Sequence, residues 1–493
     1  MKFLRLVPLA LAAISAGAWA QGDPNTNAKI IEEGKNHNHA MQTLHYLTKN
    51  IGARLTSSPE LGSACDWTAD VFKSYGLKNV HLEKWGEFPV GFERRKSTGH
   101  IVAPYESEII FTTPAWTAGT DGPLRGPAVY EPTTMEEFNA NKDKYKGAWL
   151  IMKTAVFRRR PTDAEAQPTD LEKAIAGSGF AGKVYKSRNE LVVTGGNYRI
   201  TWDKLPTERR ITVRLSDWNA IASNLDKGKP VSLEFNLDHR FIKGPVPVYN
   251  VVADLPGTEK PDEYVIVSGH LDSWNGPGSE GAIDNGTGTT VTMETARILT
   301  RIGAKPKRTI RFILWSGEEE GLLGSRAYIK AHPELLPKIS AVFVDDEGTN
   351  YQAGVSATAA MEPMLTQADS PMNSVFPDMP FKVSVREHIP IGDGSDHDSF
   401  NQVGVPGFFW HLEGRHDYTF IHHTQHDVYE QAIPEYMVQK CTNSAVMAYN
   451  IACADQMVPR DPDAALGQMR RRGGGGGTPT TPTAGARPGG GGG

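Results

Sequence analysis

Val265-Ile266-Val267-Ser268-Gly269-His270-Leu271-Asp272 opens the stretch that decides the fold, and Val344-Asp345-Asp346-Glu347-Gly348 closes it. Between them lie Gly281-Ala282-Ile283-Asp284-Asn285-Gly286 and Ile313-Leu314-Trp315-Ser316-Gly317-Glu318-Glu319-Glu320-Gly321. The short apolar runs 264–268, 309–315 and 339–344 each end in His, Glu or Asp. Continuous apolar runs bounded by turns read as strands buried on both faces. The segments between them, 289–302 and 321–331, carry helical texture. Strands alternating with helices predict an α/β fold: a mixed, largely parallel central sheet with helices on both faces. Ligands of such sheets gather beyond the carboxyl ends of the strands. His270, Asp272, Asp284, Glu318, Glu319, Asp345 and Asp346 all fall there.

Outward from this stretch, residues 249–255 predict a strand stopped by Pro256-Gly257, 405–410 a further strand and 434–452 a final helix. Upstream, Met41, Leu44, Leu47 and Ile51 recur at helical spacing over 38–51. Ser57-Ser58-Pro59-Glu60 reads as a turn with a helix N-cap, before a helix holding Leu61, Trp67, Val71 and Phe72 that Gly76 terminates. Residues 79–85 alternate as a strand, and this opening is read as packing material without chemistry. From about Arg94 to Gly244 short alternating pieces (99–103, 107–111, 127–130, 148–153, 191–193 and 231–237) follow one another between Gly and Pro. They predict a β-rich insertion with few helices, in which Arg158-Arg159-Arg160 reads as a solvated loop.

The chain has 493 residues, more than one core usually organises, and its net charge of -5 comes from 52 basic and 57 acidic side chains mixed along it. That balance predicts neither a nucleic-acid nor an anionic-membrane partner. A positive start, a short apolar run and Ala18-Trp19-Ala20 read as a secretory signal over 1–20, too short for a membrane span. An exported, secreted or periplasmic protein follows. The expected division is 1–20 signal, 21–95 and 246–458 one discontinuous domain, 96–245 an inserted domain, and 459–493 a Gly/Pro/Thr-rich disordered tail. Cys65, Cys441 and Cys453 form no zinc ligand set; if one helix carries the last two, roughly 18 Å separates them along it. Cys65 bridged to one of them and three buried thiols both remain open.

The polar groups point to a metal. Adjacent Glu318 and Glu319 at the mouth of a buried strand repel each other unless a cation neutralises them. Imidazole and carboxylate without thiolate suit zinc, and the surplus of carboxylates over one tetrahedral ion suggests two ions sharing a bridging carboxylate.

In order and spacing, His270-Leu271-Asp272, Gly281-Ala282-Ile283-Asp284-Asn285-Gly286, Glu318-Glu319-Glu320-Gly321-Leu322-Leu323-Gly324-Ser325, Asp346-Glu347-Gly348-Thr349 and His423-Thr424-Gln425-His426-Asp427 resemble the co-catalytic zinc exopeptidases of peptidase family M28. The motifs look closest to its plasma glutamate carboxypeptidase branch, and the insertion is similar in position to a protease-associated domain. The resemblance implies two zinc ions per chain, with His270 and Asp346 on one, Glu319 and His423 on the other, and Asp284 bridging them. It implies Glu318 as general base, with Asp272 orienting His270. Asp345 competes with Asp346, and His422 and His426 with His423; the Asp-x-Gly-Thr and His-Thr-x-x-Asp patterns favour Asp346 and His423. The donor to the oxyanion is unassigned, because Gly394 rather than Tyr precedes Ser395-Asp396-His397. The implied activity is hydrolysis of terminal bonds of peptides or dipeptides, as aminopeptidase or dipeptidase, with carboxypeptidase as the alternative. An inactive binding protein on the same fold and a single-zinc glutaminyl cyclase-like transferase are the other classes; the filled ligand positions and His270 argue against them. A homodimer is left open.

Overall fold

The structure is a computed structural model that describes residues 22–155 and 168–461. The signal at 1–20, Arg158-Arg159-Arg160 and the tail beyond 461 lie outside the described residues. Eight strands position the site: β1 (Lys78–Ala103), β2 (Ser232–Leu255), β3 (Lys260–His270), β4 (Arg308–Trp315), β5 (Ile339–Val344), β6 (Tyr351–Thr358), β7 (Lys382–Arg386) and β8 (Gly407–Glu413). They run across the sheet in the order β7-β6-β8-β5-β3-β4-β2, with β1 paired to β2. The centre, β8-β5-β3-β4, is parallel; β6 and β2 join it antiparallel.

Alternation explains why both faces are buried. Val265 and Val267 of β3 pack with Phe312, Leu314 and Phe343 on one face, and Ile266 packs with Ile313, Val342 and Val344 on the other. Helices α1 (Pro24–Asn36), α2 (Pro59–Ser74), α3 (Thr287–Arg301) and α5 (Pro434–Cys453) cover the first face, and α4 (Leu323–Ala331) covers the second. Ser58 caps α2 as its sequence predicts, accepting from Leu61 N–H. Helix α1, which the sequence reading passed over, docks on α5 through Asn27 and Asn450. Cys65, Cys441 and Cys453 are free and buried. Among the described residues no helix is long and apolar enough to cross a membrane.

The insertion has its own core around Trp149, Ile151, Ile211, Ile221 and Phe235. The expected boundaries at 95/96 and 245/246 fall inside β1 and β2, which run through without a connector and pair antiparallel along their length. The expectation of few helices needs correction: Met135–Ala140, Asp170–Ala176 and Leu215–Asp226 are helical. The first two are shorter than the window over which periodicity is legible, whereas Leu215, Trp218, Ile221, Ala222 and Leu225 show the spacing plainly. Residues 191–193 alternate but form no strand.

Asp369, at the end of the helix Glu362–Asp369, is 2% exposed and its Oδ1 has no partner. Burial pushes its carboxyl up to about 7. The folded value exceeds the unfolded one of about 3.9, so the cost is absent below pH ~4, grows as pH rises toward 7 and is constant above. Asp369→Asn is therefore expected to leave stability unchanged at pH 4 and to raise it at pH 8 by up to about 4 kcal/mol, read from urea unfolding at the two pH values.

Candidate metal centre

Strand register brings the polar turns to one edge. His270 ends β3 directly opposite Trp315 of β4, and Ser268 lies opposite Val344 of β5. The turns bearing Glu318–Glu319 and Asp345–Asp346 consequently leave the sheet beside His270. The loop to α3 is tight: Gly281 has φ 60°, and a Cβ there would sit 2.1 Å from Ser273 Oγ. At Gly288 a Cβ would lie 2.0 Å from the Asp345 carbonyl, so only glycine lets α3 start against β5.

His270 Nε2 stands 3.1 Å from Asp346 Oδ1, 3.4 Å from Asp284 Oδ1 and 3.9 Å from Glu318 Oε2. His423 Nε2 stands 3.3 Å from Asp284 Oδ2 and 2.9 Å from Glu319 Oε2. Asp284 thus turns one oxygen to each imidazole. Ligand atoms about 2.0–2.1 Å from a tetrahedral ion lie roughly 3.3 Å apart, so these spacings fit a zinc donor set. Asp284 Oδ2 is buried without a hydrogen-bond donor, as a metal-facing oxygen is. Among the described residues no Lys or Arg pairs with Asp284, Glu318, Glu319 or Asp346.

Electrostatics express the same demand for positive charge. Burial pushes the Glu318 and Glu319 carboxyls well above the ordinary range, and neighbouring carboxylates add to it. Burial would lower His270, but the charges of Asp346 and Glu318 hold it well above its usual value. Burial would likewise raise Asp284, yet the His270 hydrogen bond and the His423 charge hold it below the carboxylate range.

Asp272 lies beneath this layer. Its carboxylate accepts the N–H groups of Glu318 and Glu319 at 3.4 and 3.3 Å and the Thr56 hydroxyl at 2.9 Å, and its Oδ1 is 3.5 Å from His270 Nδ1. Asp345 points away from the site, 2.7 Å from buried Lys440 Nζ and accepting from Gln352, whereas Asp346 accepts Ser395 Oγ–H at 2.5 Å. Of the three histidines, His423 meets Asp284 and Glu319; His422 also offers a nitrogen near Asp284, and His426 stacks on Phe420.

The opening segment does more than pack. Arg54, fully buried, donates to the carbonyls of Leu271, Gly281 and Glu280 and so ties the two metal loops together. Asp427 accepts the N–H groups of Ile283 and Asp284 at 2.6 and 3.3 Å. Arg54 lies in no motif, and the His-Thr-x-x-Asp pattern marks Asp427 without revealing its role, because each role depends on which carbonyls or amides the fold brings near. The centre opens into a cavity of about 480 Å³ that Glu347, Arg326, Asp393, Phe409 and Tyr418 also line.

Residues 250–448 match the model of peptidase family M28. Carboxypeptidase Q of Mus musculus is 26% identical over 435 residues, which is 87% of this chain and 88% of that protein. A solved peptidase M28 precursor from Shewanella amazonensis matches with TM-score 0.64 at 23% identity, over 89% of this chain and 98% of that one. A zinc aminopeptidase from Bacillus subtilis matches with TM-score 0.53 at 20% identity, over 83% and 94%. These two structures share the fold.

The adjacent aspartates separate experimentally. Asp345→Ala leaves the Lys440 ammonium buried without a counter-ion and is expected to cost about 3–5 kcal/mol. Asp346→Asn removes one of several crowded carboxylates and should cost under ~1 kcal/mol in chelator-treated protein. Urea unfolding of both variants checks the contrast.

Proposed function

Because the chain carries a peptidase family M28 domain over residues 250–448 and is a metallo-exopeptidase, we propose that it is an exported enzyme using two zinc ions to hydrolyse terminal bonds of peptides or dipeptides. The observation carrying the two-ion reading is the Asp284 carboxylate, divided between His270 at 3.4 Å and His423 at 3.3 Å. In this reading His270 and Asp346 would hold one ion and Glu319 and His423 the other, with Asp284 offering an oxygen to each. When bound, the ions supply an acidified water and charge neutralisation for the oxyanion.

The residues of the chain do the rest. Glu318 lines the cavity next to His270 and Asp346 without donating or accepting for the fold through its carboxylate. It takes the proton of the attacking water on a carboxylate oxygen and returns it to the leaving amine nitrogen. The Asp272 carboxylate fixes the turn that aims Glu318 and Glu319, and the Asp272 carbonyl, 3.0 Å from His270 Nδ1, orients the ring with the carboxylate 3.5 Å away. Trp274 N–H donates to Glu319 Oε1 at 3.2 Å, leaving Oε2 for the site. Purified protein is expected to carry close to two zinc ions, and Glu318→Gln to keep them while hydrolysis falls by roughly 10²–10⁴-fold. Elemental analysis beside dipeptide turnover tests this; near-normal turnover would sink the role of Glu318.

Aminopeptidase or dipeptidase action is the first reading. Carboxypeptidase Q relatives and one observation favour a second, recognition of the free carboxyl end. Arg326 is exposed at the cavity and, among the described residues that line it, is the one guanidinium. Two extended residues span at most about 7 Å, so a dipeptide fits the cavity with its carboxylate toward Arg326. Arg326→Gln should lower kcat/KM for a dipeptide about 10- to 100-fold and leave its C-terminal amide nearly unaffected. Equal losses on both substrates would exclude carboxylate recognition by this residue.

A further inference from the structure

His423 holds a left-handed backbone, φ 61°, which residues other than glycine adopt only when something holds them there. A type II turn sets it, with Thr424 N–H donating to the Ile421 carbonyl at 2.8 Å, and contacts from the insertion brace His423 there. Its carbonyl accepts the Thr194 N–H at 2.8 Å. Two residues on, Gln425 reaches into the same segment from both ends of its amide: Oε1 accepts from Val192 N–H at 2.9 Å, and Nε2 donates to the Glu190 carbonyl at 3.0 Å. Val192 and Thr194 therefore spend their backbone donors on the ligand loop and Leu191 N–H goes to Asn189 Oδ1, so the alternation over 191–193 yields no strand.

The segment is wedged in place. Thr194 Oγ1 and Thr112 Oγ1 are 2.7 Å apart, and a Cβ at Gly276 would lie 2.0 Å from Thr194 Oγ1. Gly278, φ 89°, lets its loop pass beside Gln425. A second contact reaches His423 through rings: Trp116 of the insertion packs edge-on against Trp274 at 6.4 Å, and Trp274 edge-on against His423 at 6.1 Å.

We propose that the segment 190–194 of the insertion is a positioning element of the metal centre, with Gln425 as its latch. It keeps His423 in the conformation that aims Nε2 at Asp284 and Glu319. This rests on the two-ion reading and adds an asymmetry to it. His270 ends β3 and Asp346 follows β5, and among the described residues neither has a hydrogen bond or ion pair from the insertion, whereas the position served by His423 and Glu319 depends on it.

The test is stepwise zinc removal by a chelator, followed by elemental analysis, on the full chain and on Gln425→Ala and Gln425→Glu. The latter keeps the acceptor for Val192 N–H and loses the donor to Glu190. Expected for Gln425→Ala are native circular dichroism, one zinc held as in the parent chain and the second weakened about 10- to 100-fold. Gln425→Glu should fall between, and added zinc should restore turnover of both variants. Two ions held with parental affinity, or both ions weakened equally in folded protein, would overturn the latch. A parent chain that binds fewer than two ions overturns instead the two-ion reading beneath it.

Discussion

Four carboxylates, Asp284, Glu318, Glu319 and Asp346, crowd one edge of the sheet with the imidazoles of His270 and His423, and among the described residues no Lys or Arg pairs with them. Their side chains are largely buried, so their mutual repulsion is weakly screened and is relieved by bound protons or by a metal ion. The surrounding structure follows from keeping these groups together despite that repulsion. Parallel register delivers them to one edge, and hydrogen bonds from behind prevent them from turning away.

Those restraints are made mostly by groups that never face the cavity. Lys440, from the last helix, pairs with Asp345 and thereby turns the next residue, Asp346, outward to His270 and Ser395. Asp272 gathers the amides of Glu318 and Glu319. Asp427 gathers those of Ile283 and Asp284, and burial together with the Asp284 charge pushes its carboxyl up to about 8. Arg54 clamps three carbonyls of the loops on either side. Each contact is buried and polar, so removing one partner leaves the other unsatisfied, which favours a rigid site over an adaptable one.

The insertion joins this scheme through continuous chain. Because β1 and β2 run from its core into the central sheet without a break, its placement over the site is set by strand pairing. That rigidity is what allows a backbone segment as short as 190–194 to engage the His423 loop from outside the sheet.

Local pattern was enough for the sheet-and-helix core, because buried strands such as 339–344 announce themselves by composition and end in polar turns. It was enough to gather His270, Asp284, Glu318, Glu319 and the Asp345-Asp346 pair at the strand ends, since their residue types and order are visible without coordinates, whereas His423 entered only through the family resemblance. It was not enough to divide Asp345 from Asp346 on physical grounds. Adjacent residues of one turn differ only in direction, and Lys440, ninety-five positions later, sets that direction. Arg54, Thr56, Gln425 and residues 190–194 were likewise illegible, because a backbone carbonyl or amide has no sequence signature. Which of them meet is decided by long-range strand register and by the path of β1 and β2. Chemistry was therefore written in the side chains themselves, whereas the aim of each side chain came from contacts that exist only once the whole chain is packed.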